Sequence, residues 1–170
     1  MPPTKLSHVV LETNRKKEMQ EWYCEVLGGH VVYEDALLGF VTYDDEHHRV
    51  GFVGFVPLTL RDRDADLGVP PIEPPGLHHV TFRFESMGEL LENYTRLATR
   101  GIRPFRSIDH GPTTSMHYAD PDGNRIELRV DHVAIAEESH TWMRSPAFEG
   151  NPIGVEFDPD ELIERFRSGW

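Results

Sequence analysis

Cysteine is nearly absent from this chain. Cys24 stands alone, so no disulfide can close within the chain and the redox compartment is left open. Its place in a helical pattern suggests a buried small hydrophobe rather than a nucleophile. Positive charge is scarce as well: 17 Lys and Arg face 29 Asp and Glu, a formal net charge of −12. A surface of that sign repels phosphate backbones and anionic headgroups, which argues against nucleic-acid and membrane partners. Long apolar runs are missing. The most apolar stretch, 50–60, is interrupted by glycine and proline and falls far short of the ~20 residues that span a bilayer. The opening MPPTKLSHVV lacks the apolar core of about 7–15 residues that a secretory signal carries. A nucleotide-binding motif is also lacking. What remains is the expectation of a cytoplasmic protein whose 170 residues form one domain with a sizeable core.

The chain then repeats itself. A strand over 6–12 leads into a helix over 15–27, where Met19, Trp22, Tyr23, Val26 and Leu27 recur at spacings of three and four. Asn14 is a candidate cap and Gly28-Gly29 a stop. Strands follow near 30–34, 37–43 and 47–56. After a Pro-rich connector over 57–76, Leu77-His78-His79-Val80-Thr81-Phe82 resembles Leu6-Ser7-His8-Val9-Val10-Leu11 at an offset of 71 residues. A second helix, 86–100, carries Leu90, Leu91, Tyr94 and Leu97 and ends at Gly101; strands follow near 102–109, 113–119 and 124–131. Two βαβββ modules, 5–56 and 77–131, are thus expected to make an α+β fold. Their sheets would form a cupped, barrel-like surface with the helices outside. A C-terminal extension, 132–170, holds one short helix opened by Asp158-Pro159-Asp160-Glu161, with Leu162, Ile163 and Phe166 as its stripe. It would cover the cup, wrap a partner subunit or finish the core.

Thr113 to Asp131 reads as a hairpin around Asp120-Pro121-Asp122-Gly123, with Gly123 supplying the left-handed residue of the turn. If Asp120 faces Asn124, His117 falls opposite Glu127, while Ile126, Leu128 and Val130 form a core-facing stripe. Strand parity places His8 and His79 on the cup side and His78 on the helix side. His8, His79 and Glu127 therefore share one face, and two histidines with one carboxylate suit Fe(II) with positions open to substrate and dioxygen. The bland alternatives are hydrogen-bonded histidines and a solvated Glu127 pairing with Arg125 and Arg129. His47-His48 is turn polarity or chemistry, and spacing does not choose. His117 is placed to act in the site or to support the carboxylate. His110 is placed to reach the rim and contact substrate. His30, His132 and His140 read as structural.

The pieces LSHVVLET, HRVGF, GLHHVTF and SMHYADPDGNRIEL together resemble the vicinal oxygen chelate superfamily, and within it the single-domain type I extradiol ring-cleaving dioxygenases. The resemblance covers about residues 5–131. It implies iron ligands at His8, His79 and Glu127, with Mn(II) as the alternative ion, and an acid-base histidine at His48. Where the family usually has a tyrosine, this chain has His117, with Tyr118 expected to face away from the cup. The implied reactants are a small aromatic diol such as 2,3-dihydroxybiphenyl and O2, and the implied assembly a homo-oligomer. Two other readings belong to the same superfamily. One is a non-redox metalloenzyme: a glyoxalase, an epimerase or a fosfomycin-type thiol transferase. The other is a metal-free drug-binding protein. Glyoxalase-like sites commonly use a fourth ligand from the first module's last strand; its repeat counterpart here is Val56, which is no ligand.

Overall fold

A computed structural model describes residues 5–54, 77–133 and 136–169, so the expected connector 57–76 and Val56 lie outside the described residues. The chain falls into two compact units. The first holds residues 5–54 together with 120–124, and the second holds the remaining described residues.

In the first unit the order is β1 (Val9–Glu12), α1 (Lys16–Leu27), β2 (His30–Glu34), β3 (Leu38–Thr42) and β4 (Val50–Val53). These strands form an open sheet ordered β1-β4-β3-β2, with β1 parallel to β4 and the other neighbours antiparallel. Helix α1 buries Met19, Tyr23 and Val26, and Tyr23 meets the Phe52 ring of β4 at 5.3 Å between centroids. Gly28 ends the helix at φ 65°, a conformation that costs glycine little. Asn14 is not the cap. Arg15 occupies that position without a side-chain bond to the helix, and Thr13 Oγ1 accepts from the Arg15 N–H instead. Cys24 is half-buried, less enclosed than its pattern suggested.

The second unit repeats the plan with β5 (Val80–Phe84), α2 (Met87–Ala98), β6 (Arg106–Asp109), β7 (Thr113–Ala119) and β8 (Arg125–Asp131). Ser86 caps α2 by accepting from Glu89 N–H, as its residue type favours. Leu90, Leu91, Tyr94 and Leu97 are buried, as are Met116, Tyr118, Ile126, Leu128 and Val130. That apolar stripe on β7 and β8 leaves Thr113, Ser115, His117 and Glu127 on the opposite sheet face. Strand β6 begins later than its pattern implied, since Pro104 has no N–H to donate and Phe105 pairs only with the His117 carbonyl.

The extension is richer than one helix. It contains α3 (Ala136–Met143), α4 (Pro146–Gly150), β9 (Val155–Glu156) and α5 (Pro159–Arg167). Strand β9 joins the edge of the second sheet, giving the order β5-β8-β7-β6-β9, again open. Arg106 pairs with Glu156 at 2.7 Å, and Tyr94 donates to Asp160 at 2.8 Å. Asp158 caps α5, which packs on α2 and buries Leu162, so the extension finishes this unit's core. Phe166 stays 41% exposed despite its place in the expected stripe. Among the described residues no helix is long and apolar enough to cross a membrane.

The β7–β8 hairpin has the register anticipated from its turn, with His117 opposite Glu127. Asp120 N–H donates to the Asn124 carbonyl at 3.0 Å, Gly123 N–H donates to the Asp120 carbonyl at 2.9 Å, and Gly123 sits at φ 80°. Replacing Gly123 with Ala is expected to destabilise the fold by about 1 kcal/mol or more, read as a lower denaturant midpoint at unchanged slope. Alkaline pH provides a separate check. Burial, then the hydrogen bond to Asp160, pushes Tyr94 up to about 12, and burial also raises Tyr23 and Tyr118. Unfolded tyrosine ionises near 10, so this contribution to stability is complete below pH ~10 and is lost as pH rises toward ~12. Denaturation curves at pH 9 and pH 11.5 should differ in that direction.

Candidate functional site

Glu127 is the centre of the second unit's polar face. Its side chain lies on β8, 7% exposed, between hydroxyls from both neighbouring strands. Ser115 of β7 donates to Oε1 at 2.5 Å, and Thr81 of β5 donates to Oε2 at 2.7 Å. Thr81 is the direct register partner of Glu127 on β5, and Ser115 is a diagonal neighbour on β7, so sheet pairing alone brings them there. Burial by itself would raise the carboxyl pKa. The two hydroxyl donors, with His117 and His79 nearby, outweigh it and hold the group below its ordinary value. These hydroxyls were not singled out from the sequence, although parity put Thr81 on the His79 face.

His79, one residue before β5, places Nε2 3.0 Å from Glu127 Oε2. His78 turns its Nε2 to Arg125 at 3.1 Å and its Nδ1 to the His79 Nδ1 at 2.7 Å. His117 is more enclosed. Its Nε2 is buried without a hydrogen-bond partner, and burial lowers its pKa to about 4 even though Glu127 pulls the other way. A neutral imidazole with an unpaired buried nitrogen is a ready acceptor or ligand. His110, Glu127 and His117 bring ligand atoms within 4.8 Å of one another. His110 Nδ1 lies 2.6 Å from the Ile153 carbonyl of the extension. Tyr118 packs in the core on the opposite face, buried and 3.9 Å from Met116 Sδ.

The first unit gathers other histidines. Arg49 donates to the Leu6 and Ser7 carbonyls at 3.1 and 3.0 Å while pairing with Asp44 at 2.7 Å, which fastens the loop before β4 to the entry of β1. His8 and His48 are consequently adjacent, 4.3 Å between ring centroids, and His47 joins them within ligand distance. His48 also stacks on Phe40 of β3 at 4.5 Å. Partial burial, then the neighbouring His8 and His47, lowers its pKa. The structural reading of His132 agrees with its 2.8 Å contact to Thr114 Oγ1. His140 lies 3.6 Å from Glu137 on the same helix.

Imidazole nitrogens grouped with an anchored carboxylate fit a divalent first-row ion. A model of the Glyoxalase/Bleomycin resistance protein/Dioxygenase superfamily matches residues 5–128. The chain belongs to this superfamily. It is 44% identical over 165 residues to biphenyl-2,3-diol 1,2-dioxygenase 2 of Rhodococcus globerulus, covering 97% of this chain and 83% of that one. Biphenyl-2,3-diol 1,2-dioxygenase 3 of the same organism is 40% identical over 167 residues, with the same coverage. Among solved structures, a superfamily domain from Frankia sp. EAN1pec superposes with TM-score 0.59 at 19% identity. It covers 82% of this chain and all of that one, a likeness of fold.

Ser115→Ala should release Glu127 toward a higher pKa, because the carboxylate loses a donor while its burial remains. Carboxyl-carbon NMR titration of the wild type and variant would read the shift, and an unmoved or lowered value would contradict the role given to Ser115.

Proposed function

We propose that this chain is an extradiol ring-cleaving dioxygenase that uses O2 to open a catechol-type aromatic diol such as 2,3-dihydroxybiphenyl. The observation that carries the reading is its 44% identity, over 97% of the chain, to a biphenyl-2,3-diol 1,2-dioxygenase. His8, His79 and Glu127 are the proposed metal ligands and Fe(II) the proposed ion, with Mn(II) the alternative. Support for this set comes from strand parity, from the matching places of the two histidines in the repeat, and from the His79–Glu127 distance of 3.0 Å. When bound, a ferrous ion supplies one-electron chemistry and open coordination positions for a diol and dioxygen.

The protein's own groups do the rest. His48 accepts a proton from a diol hydroxyl and returns it to the oxygenated product side, a role typically worth ~10²–10⁴-fold in rate. His117 presents its unpaired Nε2 to a diol oxygen, in the place where the family usually has tyrosine. His110 positions the substrate. Thr81 and Ser115 keep Glu127 from swinging, as supporting donors do for carboxylate ligands. The ring opens beside, not between, the hydroxylated carbons. Both oxygen atoms enter the product, so no external reductant is consumed.

The grouping of His110, His117 and Glu127 favours a second ligand set and calls for a direct comparison. With anaerobically loaded Fe(II), wild type should consume oxygen and form a yellow product from 2,3-dihydroxybiphenyl. Glu127→Ala and His8→Ala should each lose stoichiometric iron while keeping a cooperative melt. His110→Ala should retain it; loss of iron in His110→Ala but not in His8→Ala would overturn the proposed triad. His48→Ala should keep iron and slow turnover by about 10²-fold or more. Activity confined to thiol or methylglyoxal-derived substrates with non-redox ions would instead favour the glyoxalase or thiol-transferase reading.

A further inference from the structure

We propose that the C-terminal extension builds a subsite for the part of the substrate remote from its diol, and that this subsite takes a neutral, ring-sized apolar group. The inference rests on the dioxygenase reading for what sits at Glu127, and it deepens that reading by naming which substrates the site prefers. A cavity of about 490 Å³ lies within the second unit. Glu127 and His110 line it from the sheet, and Trp142, Met143 and Phe148 line it from α3 and α4. A volume of this order lies within the range of small-molecule pockets and exceeds what one catechol ring fills. Its apolar and aromatic surface comes mainly from the extension, as expected of a wall that packs against a ring.

That wall is fixed in place. His110 contacts the Ile153 carbonyl at 2.6 Å, and β9 pairs with β6 on the sheet edge. Gly111, at φ 92°, lets the Trp142 indole come so close that a Cβ there would sit 2.4 Å from the ring. Gly154, at φ 102°, likewise approaches the Asp109 carbonyl, 2.2 Å from where a Cβ would stand. Both contacts require glycine on two counts, backbone conformation and space. Trp142 is therefore seated against the same turn that carries His110.

Charge narrows the choice of ligand. Two arginines line the cavity, yet Asp131 pairs with both, Arg83 at 3.5 Å and Arg129 at 3.3 Å. Glu127 adds a second carboxylate to the same lining. Both arginines are already engaged, Asp131 pairing with each and Glu85 with Arg83 at 3.4 Å, so a substrate carboxylate would compete with carboxylates in place and would lose hydration with little compensation. A phenyl or similar substituent loses nothing on entry and gains burial against the indole.

The test compares kcat/KM for 2,3-dihydroxybiphenyl, catechol and 3-(2,3-dihydroxyphenyl)propionate in iron-loaded wild type, Trp142→Ala, Met143→Ala and Trp142→Phe. Met143 is 55% exposed, so its truncation leaves the core intact. Wild type should prefer the biphenyl diol over the propionate by about tenfold or more. Trp142→Ala should lower kcat/KM for the biphenyl diol by about tenfold or more, chiefly through KM, and leave catechol nearly unchanged. Met143→Ala should move the same way by less, and Trp142→Phe should restore most of the loss. Equal losses on both diols, no loss, or a preference for the propionate would overturn the subsite. If wild type opens no diol, the dioxygenase reading has failed, and calorimetric binding of 2-hydroxybiphenyl then decides the subsite alone. Binding weakened about tenfold by Trp142→Ala would support it, and no binding to wild type would overturn it.

Discussion

The position of Glu127 and His117 depends on the register of one hairpin, and that register is held by the buried carboxylate of Asp120. Its Oδ1 accepts from the backbone N–H groups of Asp122 and Asn124, and its Oδ2 from the Asn124 amide and the Tyr23 hydroxyl. The turn residues are held further by Arg15, which donates to the Pro121 carbonyl at 2.6 Å and pairs with Asp122 at 3.3 Å. Burial raises the Asp120 pKa, and these donors act against the rise. A loop clamped in this way has one length, so β7 and β8 have one pairing. A slip by one residue would exchange the faces of every side chain, sending His117 and Glu127 into the apolar core and Ile126 and Leu128 out of it.

Given that pairing, the chemistry of Glu127 follows from local supply. A buried carboxylate is costly unless it accepts hydrogen bonds, and here each oxygen has a hydroxyl donor from a neighbouring strand. A hydroxyl fills this role well because it donates without carrying a charge, so the anion keeps its full capacity for a cation. His79 Nε2 approaches this carboxylate at 3.0 Å, and the buried Nε2 of His117 is left without a protein partner. Supported anion and unspent imidazole together make a polar centre directed at something other than the protein itself.

The extension shows how a short strand can convert a tail into part of a site. Strand β9 contributes two residues, yet its pairing with β6 fixes the chain on both sides. On one side α5 covers α2, with Asp160 bonded to Tyr94 and Arg103. On the other, α3 and α4 bring Trp142 and Phe148 to the cavity that Glu127 also lines. The sheet edge and the cavity wall thus draw on the same few contacts.

Much of this was legible in the sequence, because the signals involved are local. Period-2 alternation sorted His79 from His78 and Tyr118 from His117, and Pro121 with Gly123 specified the turn and hence the register. Repetition at a fixed offset revealed two βαβββ modules before any contact was known. The expected cap at Asn14 is not the one observed, since Thr13 makes a similar bond one residue earlier and several polar residues there compete for one role. Thr81 and Ser115 escaped notice because a hydroxyl on a strand is ordinary until a carboxylate is known to lie within reach. The extension was least legible: β9 is too short for a pattern, and Trp142 finds its place only where Gly111 permits close approach. The sequence by itself determined which residues share a strand face and where the turns fall, because backbone geometry dictates both over a few residues. Only the tertiary structure decided which faces supply donors to Glu127 and which distant aromatics wall its cavity, because those depend on contacts between segments that no local period records.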